Sequence, residues 1–134
     1  MTEGDYAIYW TLRERPDSFR ATGGRLYSAI DEQTMQDIVK RLVAAARPTR
    51  VILFGSYARG DATAGSDLDL MVIQPYVSDS YSEMVRLHQA VGDVGVGVDL
   101  LVYSEADYRR RSQVPGTVLY WARKEGRPLY EAAS

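Results

Sequence analysis

Two adjoining stretches constrain this chain most: Phe54-Gly55-Ser56-Tyr57-Ala58-Arg59-Gly60 and, after a short loop, Gly65-Ser66-Asp67-Leu68-Asp69-Leu70-Met71-Val72-Ile73. Val51–Phe54 is an apolar run halted by glycine, which predicts a buried strand entering a tight turn. Ser56 is placed to open and cap a short helix. The N–H groups at such a start, together with the helix dipole, favour a phosphate. Gly55 has no Cβ, so a triphosphate can approach the backbone closely there.

The second stretch carries the complementary charge. Side chains alternate along a strand, so Asp67 and Asp69 share one face while Leu68 and Leu70 share the other. Two carboxylates roughly 7 Å apart on one face raise each other's pKa unless a cation lies between them. Magnesium suits the position, because it takes oxygen ligands and prefers few carboxylates plus substrate phosphates. A phosphate cradle followed by an acidic pair points to nucleotide chemistry.

Gly55-Ser56, Gly60 and the Asp67-x-Asp69 pair resemble the signature of the DNA polymerase β-like nucleotidyltransferase superfamily. A third carboxylate from a later strand belongs to that pattern, and Asp99 within Gly97-Val98-Asp99-Leu100-Leu101-Val102 supplies it. By size, the chain is similar to the minimal nucleotidyltransferases (MNT), small bacterial proteins often encoded beside a HEPN-domain partner. The resemblance implies an α+β nucleotidyltransferase fold, a mixed sheet of three to five strands with helices packed against it. It places Asp67, Asp69 and Asp99 as catalytic, magnesium-binding residues, with two ions possible and ATP as substrate. Gly55, Ser56, Arg59 and Ser66 are the nucleotide-binding candidates. Asp99 has a second reading as a general base, and Arg59 has one as the partner of Asp61 or another surface acid.

Composition sets the outer limits. A length of 134 residues predicts one domain, able to bury about two-thirds of its unfolded surface. No run approaches the roughly 20 apolar residues of a membrane span, and no signal-peptide pattern opens the chain. Cysteine is absent, which excludes disulfides and thiolate metal sites; the expected location is the cytoplasm. A net charge of −2 argues against a protein devoted to gripping nucleic acid.

The remaining elements follow in order. Residues 1–28 form an arm of unclear structure in which Tyr6–Trp10 reads as a strand or a first helical turn. Residues 29–134 form a single nucleotidyltransferase domain. Met35, Ile38, Val39, Leu42, Val43 and Ala46 recur at helical spacing, with Asp31 or Ser28 as cap and Pro48 beyond the end. Pro75 ends the second strand, and Ser80-x-x-Glu83 has capping-box spacing for the next helix. His88, the one histidine, sits on that helix as a solvated residue. Val96–Val102 is the third strand, and Ser104–Tyr108 is a turn or short helix with Ser104 as cap. Arg109-Arg110-Arg111 reads as a solvated face, with an anion or partner contact as the alternative. Thr117–Glu125 is a helix with Val118, Trp121 and Ala122 on one face and Gly126 as a left-handed cap. Arg127–Tyr130 adds an edge strand.

The motif does not specify the acceptor. Larger relatives carry extra domains for primer, tRNA or aminoglycoside, and this chain has no room for one, which points to a protein. The MNT resemblance implies an antitoxin that adenylylates a tyrosine of a HEPN toxin and also binds it. A binding module that neutralises its partner by occlusion without turnover is the alternative. Transfer to a small molecule within a homo-oligomer is a third reading.

Overall fold

The computed structural model describes residues 6–8, as backbone, and 30–132. The order of elements is β1 (Tyr6–Ile8), α1 (Glu32–Ala46), β2 (Arg50–Phe54), α2 (Ser56–Arg59) and β3 (Leu68–Gln74). These are followed by α3 (Ser80–Val91), β4 (Val98–Ser104), α4 (Glu105–Arg111), α5 (Val118–Glu125) and β5 (Arg127–Ala132). The strands form one mixed sheet in the order β1-β5-β2-β3-β4. β3 and β4 are parallel, and every other pairing is antiparallel. A parallel pair needs a long crossover, and α3 provides it.

Period-two alternation divides the strands between two cores. Val51, Leu53, Leu68, Leu70, Val72, Val98, Leu100 and Val102 join Met35, Ile38 and Leu42 of α1 and Leu87 of α3 on one face. Ile52, Met71 and Ile73 meet Tyr108 of α4 and Leu119 and Ala122 of α5 on the other. The two ends of β3 and β4 are therefore unlike. Their later residues lie under α4 and α5, while Asp69 is half-buried and Asp99 exposed on that same face. This uncovered end holds the candidate site.

Several elements depart from the expected details. Asp31 does cap α1, accepting from the Thr34 N–H at 2.7 Å. The cap of α3, however, is Asp79, which accepts from Tyr81 and Ser82 at 3.1 and 3.2 Å. Glu83 does not reach back; it pairs with Arg86 at 2.7 Å and accepts from Gln74. Gly126 is extended (φ −72°, ψ 164°), not left-handed. A Cβ there would strike the Ala122 carbonyl and lie 2.6 Å from Cγ2 of Ile52, so glycine lets the chain turn tightly off α5 onto the sheet.

β5 is an interior strand between β1 and β2 rather than an edge. Its register against β2 shifts between Val51 and Ile52, pairing Val51 with Tyr130 and Ile52 with Pro128. That bulge lets the adjacent Leu129 and Tyr130 both be buried in the larger core, and it accommodates a proline with no N–H to donate. Among the described residues, no helix is long and apolar enough to cross a membrane.

Candidate active site

The site is assembled where β2, β3 and β4 present their uncovered ends. The parallel register sets Asp69 directly beside Asp99, and Leu68 beside Val98. Both acids point away from the larger core because their neighbours Leu68, Leu70, Val98 and Leu100 point into it. Asp69 also lies opposite Phe54 on the antiparallel side. Asp67 immediately precedes β3 instead of lying within it, as the sequence had suggested, and it is exposed.

Electrostatics bind the three acids into one unit. The Asp69 carboxyl is pushed up to about 6, first by burial, then by the charge of Asp99 and a side-chain hydrogen bond between the two. Asp67 pushes in the same direction, and Arg59 opposes it. A carboxyl crowded by two others in a half-buried position is costly to ionise unless a cation arrives.

The β2–α2 turn closes against this group. Gly55 has φ +75° and precedes α2 with no side-chain cap. Ser56 is the first residue inside the helix, so it does not act as the N-cap expected of it; its carbonyl accepts from Gly60 and Asp61 at 2.9 and 3.1 Å. Arg127 of β5 braces the turn by donating to the Ala58 carbonyl at 3.3 Å. Gly55 has a second reason to be glycine: a Cβ there would collide with Oδ2 of Asp69 and lie 3.0 Å from its Cγ. The turn and the acid are packed together as closely as the backbone permits.

Gly97 stands in the same relation to Asp67. A Cβ on Gly97 would run into Oδ1 of Asp67, and the Gly97 carbonyl accepts from the Leu68 N–H at 2.8 Å. Gly97 has no role of its own in the sequence reading, although its position two residues before Asp99 mirrors Asp67 before Asp69. Tyr57 was missed too. It is buried beneath the turn at 3% exposure, and burial and the Asp67 charge push its phenol up.

Arg59 divides its attention, approaching Asp61 at 3.4 Å while its charge reaches Asp69. Ser66 is committed to its own turn, where its hydroxyl accepts from the Thr63 N–H at 2.8 Å. The arginine run is engaged locally: Arg109 lies 3.7 Å from Glu105, Arg110 lies 2.7 Å from Asp107, and Arg111 sits over the Tyr103 ring. His88 contacts the Val98 carbonyl at 3.0 Å, on the larger-core side of β4. Trp121 is half-exposed instead of core-facing; Leu119 and Ala122 are the buried residues of α5.

Among the described residues, no three His, Cys, Asp or Glu side chains converge as a ready-made metal cage. Magnesium does not call for one, since it keeps waters and takes one or two carboxylates with substrate phosphates. The all-oxygen donor set and the raised Asp69 carboxyl fit such an ion.

A mixed sheet with acids at the open ends of neighbouring strands, beside a glycine-led turn, is the nucleotidyltransferase fold. The chain belongs to the nucleotidyltransferase domain family, whose model matches residues 33–125. It is 29% identical over 111 residues to a Methanocaldococcus jannaschii protein named "Putative protein adenylyltransferase MJ0604", covering 75% of this chain and 98% of that one. Its fold resembles a crystal structure titled as a putative nucleotidyltransferase from Sulfolobus solfataricus (TM-score 0.50, 21% identity), covering 87% of this chain and 96% of that one.

Proposed function

We propose that this protein transfers AMP from ATP to a hydroxyl of a partner protein, in the manner of an adenylylating antitoxin. The observation that carries this reading is the placement of Asp69 against Asp99 on one side and against Gly55 on the other. Acids and phosphate turn share one edge, as transfer from a nucleoside triphosphate requires. The likeness to a chain named as a protein adenylyltransferase supports a protein acceptor. The acceptor in this reading is a tyrosine of a HEPN-domain toxin, as the MNT resemblance implies.

In the reaction, the acceptor oxygen attacks the α-phosphorus, the bond to pyrophosphate breaks, and the hydroxyl proton is lost. Gly55 and Ser56 hold the leaving phosphates through backbone N–H groups, and Arg59 adds a guanidinium matched to phosphate oxygens. Asp67, Asp69 and Asp99 would hold Mg2+, which when bound would neutralise phosphate charge and lower the pKa of the attacking hydroxyl. In the alternative reading, Asp99, exposed beside Asp69, is not a metal ligand but the general base that takes the hydroxyl proton. Residues 29–134 make up this one domain in our reading, and Tyr6–Ile8, from the segment before it, adds β1 to the same sheet.

Intact-mass spectrometry of the partner tests the reading. After incubation with ATP and Mg2+, the partner gains the mass of one or more AMP units on tyrosine. A partner that is neutralised yet unchanged in mass would assign the protein to the occluding class instead.

A further inference from the structure

A groove of about 600 Å3 opens beside the site, between the β2–α2 turn and α5. Phe54, Gly55 and Arg59 line one side; Val118, Trp121 and Glu125 line the other. The three α5 residues are spaced at i, i+3 and i+7, which aligns them on one helix face. Burial of Leu119 and Ala122 against the sheet turns that face towards the groove. Trp121 consequently remains 50% exposed, its ring perpendicular to that of Tyr120 with the centroids 5.2 Å apart. An indole so presented at the mouth of a site offers a stacking platform.

Charge orients any nucleotide that enters. Arg59 is the cation on the turn side, and Glu125 is an anion on the α5 side. A triphosphate is therefore drawn to Arg59 and the Gly55 backbone and repelled from Glu125. The uncharged end of the same molecule is left facing Trp121, where Glu125 can accept from an amino group on its edge.

We propose that this groove is the nucleobase subsite, with the adenine stacked on Trp121. The proposal rests on the nucleotidyl-transfer reading and adds the residue that grips the base. Because every base has a π-face, the stacking itself tolerates any of them. Affinity for ATP then exceeds affinity for bare tripolyphosphate, which reaches only the turn.

The chain has two tryptophans, Trp10 and Trp121, so Trp10→Phe leaves Trp121 as the sole indole reporter. In that background, with Mg2+ present, ATP quenches the fluorescence and tripolyphosphate does not. By calorimetry, Trp121→Leu weakens ATP about tenfold, the scale of one lost base–aromatic stack, and leaves tripolyphosphate unchanged. Trp121→Phe, which keeps an aromatic face, recovers most of the loss. ATP affinity unmoved by Trp121→Leu, or equal affinities for ATP and tripolyphosphate, would overturn the subsite while leaving the transfer reading intact. Failure of both compounds to bind the wild-type protein would overturn the transfer reading and the subsite with it.

Discussion

Asp69 and Asp99 occupy the same level of two neighbouring parallel strands, with Asp69 half-buried and Asp99 in the open. One acid is tuned by the fold and the other is left to solvent. The inequality suggests different consequences when each is altered.

Asp69→Asn is expected to stabilise the metal-free protein at neutral pH. The folded carboxyl sits near 6 against an ordinary 3.8, so the native state binds the proton more tightly than the unfolded chain does. Its contribution to stability is full below about pH 4 and is lost as pH rises through about 6. Discounted for its partial exposure, the effect is about 1 kcal/mol, or a few degrees in Tm. Melting curves in chelator at pH 4 and pH 7.5 check it: the variant gains at 7.5 and not at 4.

The same substitution should remove activity. Asp67→Asn and Asp69→Asn are each expected to lower Mg2+-dependent transfer at least about a hundredfold while the protein stays folded. Near-wild-type transfer by either variant would dissociate these acids from the chemistry.

Gly97→Ala probes the placement of Asp67 without touching the acid. The new Cβ would displace the Asp67 carboxylate, and a displacement of about 1 Å costs on the order of a hundredfold in rate. Gly65→Ala is the control, since nothing lies within 4 Å of a Cβ there. Equal rates for both variants would show that the position of Asp67 is unimportant.

Asp99→Asn separates catalysis from occlusion. The variant should co-purify with the partner and leave its mass unchanged, because association depends on contact area and transfer depends on the acid. Loss of association with Asp99→Asn would make the carboxylate part of the interface.

Gly126→Ala tests the turn from α5 into β5. Collision with the Ala122 carbonyl and Ile52 should cost about 1–3 kcal/mol, read as a Tm several degrees lower, with transfer preserved at low temperature.

The strands and the acids were legible because they depend on local alternation. Val51–Phe54 and Leu68–Ile73 are apolar runs whose alternate residues fill the two cores on either face of the sheet, and Asp69 and Asp99 are conspicuous as charges within apolar runs. Positions governed by distant neighbours were not legible. Gly126 had the place and flanks of a left-handed cap, but its glycine is required by the Ala122 carbonyl together with Ile52, far away in the chain. Trp121 has the size of a core residue, yet α5 is rotated by Leu119 and Ala122. Gly97 matters because of Asp67, and that depends on the β3–β4 register; Tyr57 matters because α2 buries it near Asp67. Asp79 outcompeted Ser80 as a cap by one residue, a choice that the local pattern left open. The strand at Tyr6–Ile8 agrees with one of the two readings of that segment; the rest of residues 1–28 lies outside the described residues.

The interior place of β5 bears on how the protein is made. During synthesis, the β2 edge that β5 will cover emerges long before Arg127–Ala132 does. Until then it presents unpaired backbone N–H and C=O groups, the kind of edge that recruits foreign strands. The nascent β2–β3–β4 unit, acids included, is therefore complete in topology but adhesive. Arrival of Arg127–Ala132 closes that edge and ends the exposure.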